Sequence, residues 1–188
     1  MGRQRRNSKT ERTALKRKCR RPFKKQRPVP NDIGISDYSI EIKVEVFEQL
    51  REYIQKDGCE LCGVLTGSQI DEKTFRISKI SPPCIASNSR CGCVRDAQKG
   101  NAFIAQDYEQ SEHTRVYIGE WHTHPETNPT PSPTDISSIV SNYHSSTLIL
   151  PVLVMVIVGT ESLYVSVYEG NSFIKILNYC KYDNTRNS

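Results

Sequence analysis

The feature that most constrains this chain is the stretch Gly119–Asp135, GEWHTHPETNPTPSPTD, which has the pattern His-x-His-Pro-x6-Ser-x2-Asp. The residues just before the histidines are rich in β-branched and aromatic side chains, which predicts a strand. Side chains alternate along a strand, so His122 and His124 project from one face with Cα atoms roughly 7 Å apart. Both imidazoles can then reach a single metal ion at a Zn–N distance of about 2 Å.

The residues after the histidines predict a stiff, exposed loop and then a helix. Pro125 and three further prolines exclude this segment from a central sheet. Ser132 suits the N-cap of the helix, a proline follows at N1, and Asp135 falls at the acidic N3 position of a capping box. Asp135 could act only as a cap. Together with His122 and His124, however, it forms the ligand set of a hydrolytic Zn²⁺ site whose fourth position is open to water.

This motif and an earlier stretch, Cys59–Gly67 (CELCGVLTG), resemble the JAMM/MPN+ (Prok-JAB) zinc metalloproteases. The earlier stretch is similar to the E-x-C-G-x-L-x-G strand of bacterial members, and the resemblance covers about residues 39–178. It implies a cytidine-deaminase-like α/β/α fold with Zn²⁺ as cofactor. It also implies that Glu60 is the general base and that Ser132 donates a hydrogen bond to the oxyanion. The capping role and the oxyanion role of Ser132 then compete for one hydroxyl.

The resemblance also implies an activity. JAMM relatives cut peptide or isopeptide bonds after the C-terminal glycine of ubiquitin-like proteins. The flanks from Cys91 to Glu126 look like those of bacterial JAMM deconjugases of CBASS antiviral systems, which release a conjugated nucleotidyltransferase. We therefore expect a zinc-dependent (iso)peptidase that cuts the C-terminal amide of a conjugated protein, with a ubiquitin-like or nucleotidyltransferase conjugate as its substrate.

Four alternatives remain open. HTHPETNPTPSPTDI also resembles the motif of RadC-like proteins, which would act on or near DNA. A JAMM peptidase that trims a sulfur-carrier protein would show the same pattern. A non-catalytic MPN scaffold is disfavoured because every ligand position is intact. Among zinc nucleases and deaminases, a deaminase is disfavoured because the H-x-E…P-C-x-x-C signature is absent.

Glu120 competes with Glu60 for the role of base. By strand parity it shares a face with His122, and it lies two residues from that ligand. We therefore expect Glu120 to hydrogen-bond a ligand histidine and fix its tautomer. The same parity places Tyr117 and Trp121 together on the opposite, core-facing side.

Charge divides the chain into two parts. Residues 1–30 carry 13 Lys or Arg and one acidic residue, whereas the remainder has a net charge of −7. We interpret 1–32 as a basic, disordered arm, 33–180 as the metalloprotease domain and 181–188 as a polar C-terminal tail. Residues 3–27 could contact nucleic acid or an acidic partner, or could simply be solvated.

The order of the elements predicts an α+β fold in which a curved mixed sheet is sandwiched by helices. Ser81–Cys93 contains two prolines and a glycine and is expected to be a loop. The apolar run Leu148–Val158 is far shorter than the roughly 20 residues of a membrane span and predicts a buried central strand. No membrane contact is expected, and the absence of a signal peptide predicts a cytoplasmic location.

The chain has seven cysteines, an odd number that argues against a secreted disulfide framework. Cys59 and Cys62 lie on a predicted strand, where residues i and i+3 face opposite sides. This favours small buried thiols over a second zinc site. Cys91 and Cys93 fall in the predicted loop, where redox activity stays open.

Overall fold

The computed structural model describes residues 38–176 and 179–183. The predicted basic arm 1–32, the domain start at Ile33 and the tail residues 184–188 lie outside this part of the chain. In chain order the elements are β1 (Ser39–Lys43), α1 (Val44–Glu52), β2 (Cys62–Gln69), β3 (Thr74–Ile80), β4 (Ile85–Ser89), β5 (Gly92–Arg95), α2 (Ala97–Gln110), β6 (Val116–Thr123), α3 (Pro133–Ser145), β7 (Leu153–Val158), β8 (Leu163–Tyr168), β9 (Phe173–Lys175) and β10 (Cys180–Tyr182).

Eight of these strands form one mixed sheet in the order β10-β1-β3-β2-β6-β7-β8-β9. β6 pairs antiparallel with β2 and parallel with β7, so the histidine-bearing strand is central. All six residues of β7 are buried, which confirms the predicted buried strand. The strand begins at Leu153, so residues 148–152 of the predicted run lie outside it; Pro151 among them has no backbone N–H to donate to a ladder.

Helices cover both faces of this sheet. Alternate residues of β7 divide between two apolar clusters, with Val154 and Val156 in one and Met155 and Ile157 in the other. α1 contributes Val46 and Leu50 to the first cluster, and α3 contributes Ile139 to the second. The predicted α+β arrangement of a mixed sheet between helices is therefore confirmed.

A β-bulge in β6 overturns one prediction of strand parity. Leu65 pairs with Gly119, but Thr66 pairs with Tyr117, so one extra residue lies in β6 between the two pairs. A Cβ atom on Gly119 would come within 1.9 Å of the Val154 carbonyl oxygen, so the close approach of β7 requires glycine here. The bulge moves Tyr117 onto the face of Glu120, opposite Trp121, and the prediction that Tyr117 and Trp121 share a face is wrong.

The segment predicted as a loop, Ser81–Cys93, instead contains most of a β-hairpin. β4 and β5 pair antiparallel to form a separate two-stranded sheet. The backbone N–H of Cys84 donates to the Cys62 carbonyl, and the N–H of Asp96 donates to the Cys84 carbonyl, so the base of the hairpin is fastened to β2. The two prolines precede the hairpin and do not interrupt it.

The cysteines also differ from the prediction of buried thiols. Cys62 forms a disulfide with Cys93, across a separation of 31 residues, which joins β2 to β5. Cys59 is exposed, and only Cys84 among the cysteines outside the disulfide is buried in the described chain. The prediction failed because the partner of Cys62 lies on the hairpin, whose fold the local sequence did not reveal.

A buried carboxylate fastens α2 to the sheet. Asp107, 2% exposed, accepts hydrogen bonds from Thr66 Oγ1 at 2.6 Å and Arg115 Nη2 at 2.6 Å, and Lys79 Nζ lies 2.9 Å away. Burial opposes ionisation, but the bonds from Arg115, Thr66 and Lys79 prevail and hold the pKa of Asp107 well below its usual range. The cluster therefore contributes most when the carboxylate is charged.

The C-terminal boundary also needs correction. β10 includes Lys181 and Tyr182, which pair in parallel with Ile42 and Lys43 of β1. The sheet thus extends past residue 180, where the polar tail was expected to begin. Within the described residues, no helix is long and apolar enough to cross a membrane.

Candidate active site

The histidines lie where β6 ends. His122 is the seventh residue of the strand, and His124 follows just beyond its last residue, Thr123. The backbone N–H of His124 still donates to the Val158 carbonyl at 2.9 Å, so β7 orients the second histidine even though Pro125 comes next. Both imidazoles are therefore positioned by the centre of the sheet.

The proline-rich loop is anchored to the turn between β7 and β8. The N–H of Thr160 donates to the Glu126 carbonyl at 2.8 Å, and the N–H of Ser162 donates to the Thr127 carbonyl at 3.2 Å. A Cβ atom at Gly159 would come within 2.4 Å of Pro129, so the turn and loop are in close contact. These contacts hold the loop that leads from the histidines to α3.

The first turn of α3 places the carboxylate. Ser132 is the N-cap, and its hydroxyl oxygen accepts from the Asp135 N–H at 3.3 Å. Asp135 in turn accepts from the Ser132 N–H, which completes the predicted capping box. This reciprocal pair uses one oxygen of the carboxylate and aims Asp135 at the histidines.

The three side chains form a compact ligand set. His122 Nε2 lies 3.7 Å from Asp135 Oδ1, and His124 Nε2 lies 3.5 Å from Asp135 Oδ2. One ligand atom from each residue falls within 4.8 Å of the others. Ligand atoms around a tetrahedral zinc lie roughly 3.3 Å apart. His122 Nε2 is buried and has no hydrogen-bond partner within the described chain, as expected of an atom reserved for a metal.

The electrostatics of the set favour a cation. Burial would raise the pKa of Asp135, but the electrostatic influence of the neighbouring His122 and His124 side chains holds it well below its usual range. Burial would lower the pKa of His124, but the carboxylates of Asp135, Glu60 and Glu126 together raise it. The cluster therefore stabilises positive charge, which a divalent ion supplies directly.

Glu60 lies beside the ligands, although not on β2 as predicted, because the strand begins at Cys62. Cys62 pairs with His122, Leu61 and Thr123 exchange two hydrogen bonds of 3.0 Å, and the charge of Glu60 acts on His124. Glu60 is 5% exposed. Its side chain lines a cavity of about 760 Å³ that His122 and Asp135 also line.

The cavity is an open groove that lies between two elements of the fold. The β4–β5 hairpin forms one side and α3 forms the other, with a row of small polar side chains on α3 that includes Ser137, Ser138 and Ser141.

Glu120 lines the same cavity but differs from its predicted role. Its Oε1 accepts from Arg95 Nε at 2.7 Å and from the Tyr117 hydroxyl at 3.2 Å. Within the described chain, its hydrogen bonds do not include a ligand histidine. The pair it forms with Arg95 joins β6 to β5, so the hairpin determines the orientation of this carboxylate.

Two further groups near the ligands were missed by the sequence analysis. Glu126 Oε2 lies 3.6 Å from His124 Nδ1, the ring nitrogen opposite the one that faces Asp135. Its position two residues after a ligand was an available signal, because carboxylates commonly orient metal-bound histidines. Arg95 could not be found in this way, since its contact with Glu120 depends on the fold of the hairpin.

The sequence is similar to one family model and to two named relatives. The family model described as "Prokaryotic homologs of the JAB domain" matches residues 43–172. Two relatives, each named "CD-NTase/cGAS isopeptidase", are 30% identical. The one from Vibrio cholerae serotype O1 aligns over 69% of this chain and 81% of its own length. The one from Escherichia coli strain TW11681 aligns over 74% and 88%.

The fold also has a solved counterpart. The solution structure of a Desulfitobacterium hafniense protein superposes with a TM-score of 0.55 at 15% identity, covering 78% of this chain and 97% of that one. At this identity the likeness concerns the fold alone. The family match spans both histidines, the capped aspartate and Glu60, and the chain belongs to the prokaryotic homologues of the JAB domain.

Proposed function

We propose that this protein is a zinc-dependent isopeptidase that cuts the C-terminal amide of a conjugated CD-NTase/cGAS-like nucleotidyltransferase. The observation that carries the proposal is that the ligand atoms of His122, His124 and Asp135 converge while Glu60 lines the same open cavity. The names of the two 30% identical relatives support the choice of substrate.

In this proposal His122, His124 and Asp135 would hold zinc through two imidazole nitrogens and a carboxylate oxygen. Bound zinc supplies Lewis acidity, which polarises the substrate carbonyl and lowers the pKa of water toward neutrality. The unpartnered Nε2 of His122 and the 3.5–3.7 Å spacings suit this role.

Glu60 is the proposed general base. Its carboxylate accepts a proton from the attacking water and returns it to the leaving nitrogen of the amide. Its place in the cavity lining and the effect of its charge on His124 support this role. Glu120 is a weaker candidate because Arg95 and Tyr117 already engage its carboxylate.

Ser132 is the proposed donor to the oxyanion. In the capping box its Oγ acts as an acceptor, toward the Asp135 N–H. A hydroxyl can accept and donate at once, so the cap leaves the Ser132 proton available. The competition expected between the two roles therefore disappears, and one residue can fix Asp135 while it also stabilises developing charge.

The direct test is cleavage of a fusion in which a nucleotidyltransferase C-terminus is joined to a reporter protein, followed by intact mass measurement. The expected result is a single cut at the junction that 1,10-phenanthroline blocks and added Zn²⁺ restores. A folded, zinc-loaded protein that leaves this fusion intact would contradict the proposal. Cleavage only of a ubiquitin-like C-terminus would retain the reaction and change the substrate.

A further inference from the structure

The backbone of Glu60 is held by the β4–β5 hairpin. The Glu60 N–H donates to the Ser89 carbonyl at 2.8 Å, and the Asn88 side-chain amide donates to the Glu60 carbonyl at 2.8 Å. Glu60 lies two residues before β2 begins, outside its regular ladder. The hairpin therefore contacts both the N–H and the carbonyl of Glu60. The contact to the carbonyl comes from the side chain of Asn88.

The residue that follows Glu60 is hydrogen-bonded to β6, the strand that leads to both histidines. Leu61 and Thr123 exchange two hydrogen bonds, one of them through the Thr123 hydroxyl, and Thr123 lies between the two ligand histidines. One short segment thus bridges the hairpin and β6. A shift of the hairpin at Asn88 would displace Glu60 while the contacts of Leu61 keep the next residue in place.

The hairpin itself is well anchored, so it can serve as a support. Its second strand, β5, is joined to β2 by the Cys62–Cys93 disulfide. Its base is joined to β2 through the Cys84 N–H and the Cys62 carbonyl, 2.8 Å apart. Asn88 is exposed, so its truncation leaves no cavity in the core.

We propose that Asn88 is a positioning residue for Glu60: its side-chain amide fixes the backbone that carries the base. This inference rests on the proposed role of Glu60. A carboxylate must lie within hydrogen-bond reach of the proton it accepts, and displacements of about 1 Å can cost about 100-fold in rate. The expected effect of losing Asn88 is therefore on turnover and not on folding or zinc binding; Asn88 also lines the cavity, so KM reports separately on any contact it makes with the substrate.

The test compares Asn88→Ala and Asn88→Asp with Arg90→Gln. Asp has nearly the shape of Asn, but its ionised carboxylate cannot donate to the Glu60 carbonyl. Arg90 is exposed at the tip of the same hairpin, and its side chain is outside the cavity lining. For both Asn88 variants we expect kcat to fall about 10–100-fold. KM should stay within about twofold, with zinc content and unfolding midpoint unchanged. Arg90→Gln should match the wild type.

A second measurement does not depend on turnover. Amide hydrogen exchange followed by NMR on the zinc-loaded protein should be faster for the Glu60 N–H in Asn88→Ala and unchanged for the His124 N–H, which bonds to Val158. Wild-type kcat together with wild-type exchange at Glu60 in Asn88→Ala would overturn the inference. If the wild type itself cleaves no amide, the proposed function fails. The exchange at Glu60 then still decides whether Asn88 holds this residue.

Discussion

Two regions build the candidate site, and they differ in how their parts are specified. The segment from His122 to Asp135 carries the three proposed metal ligands within 14 consecutive residues, positioned by a strand end, an anchored loop and a capped helix. The β4–β5 hairpin contributes none of these proposed ligands. It contacts the site through Asn88 at Glu60, Arg95 at Glu120 and Cys93 at Cys62.

The segment from His122 to Asp135 supplies donor atoms of the candidate site, whereas the hairpin fixes the positions of residues around them. This segment brings three donor atoms together through its own local structure. The hairpin acts on residues distant in sequence, through hydrogen bonds made by Asn88, Ser89 and Arg95 and through one disulfide. Changes in the first region should therefore abolish metal binding, whereas changes in the second should alter rate or stability and leave the metal in place.

The largest effect is expected at a ligand. His124→Ala removes one of the two imidazoles, so both bound zinc and amide cleavage should be lost, whereas the wild type should hold one zinc per chain. Elemental analysis after gentle purification measures the metal. The matched control is His113→Ala, an exposed histidine whose ring lies 3.3 Å from Glu109. Full zinc occupancy in His124→Ala would break the assignment of the proposed ligands.

Loss of the disulfide should reduce stability and spare the metal. Cys93→Ser opens a covalent loop with a sequence separation of 31 residues, which should lower the free energy of unfolding by about 2–4 kcal/mol. Urea unfolding should show the decrease, and dithiothreitol should bring the wild type to the level of the variant. Cys59→Ser, at an exposed position outside the disulfide, is the control. Equal midpoints for oxidised wild type and Cys93→Ser would show that the hairpin does not depend on this bond.

The Asp107 cluster predicts a pH dependence that is separate from the metal. Asp107→Asn should cost about 1–3 kcal/mol at neutral pH, since Arg115 and Lys79 lose a charged acceptor. The folded pKa of Asp107 is lowered, so its stabilisation is present above the unfolded value of about 3.9 and declines as pH falls below it. The difference in the free energy of unfolding between the two proteins should therefore begin to shrink below about pH 4 and continue to shrink as the pH falls further. A difference that stays constant down to pH 3 would contradict this role.

The smallest effect is expected from the basic arm. Removal of residues 1–27 should leave folding and zinc content unchanged, because this sequence lacks a core-forming pattern. Circular dichroism and elemental analysis provide the comparison with the full chain. An insoluble or zinc-free truncated protein would move the domain boundary upstream of Ile33.

The two regions also differ in how far their structure can be predicted from the sequence. The strand, the proline-rich loop and the capped helix are each encoded within a few residues, so their positions and the convergence of His122, His124 and Asp135 could be predicted. The hairpin could not, because prolines and a glycine in Ser81–Cys93 indicate a loop, and its pairing depends on contacts with β2 and β6.

The β6 bulge shows the same limit at a single residue. Strand parity assumes a regular ladder, and one inserted residue reversed the placement of Tyr117 relative to Trp121. Gly119 was the available signal, because a glycine inside a strand often marks a bulge or a close backbone approach. The Arg95 contact of Glu120 had no such local signal.

The most direct measurement of the central claim is the activity of Glu60→Gln on the nucleotidyltransferase C-terminal fusion, with zinc content measured in the same sample. The substitution keeps the side-chain volume and removes the base, so we predict full zinc occupancy and a loss of at least about 100-fold in kcat. Glu120→Gln, whose carboxylate is held by Arg95, should lose less. Wild-type activity in zinc-loaded Glu60→Gln, with Glu120→Gln inactive, would contradict the account.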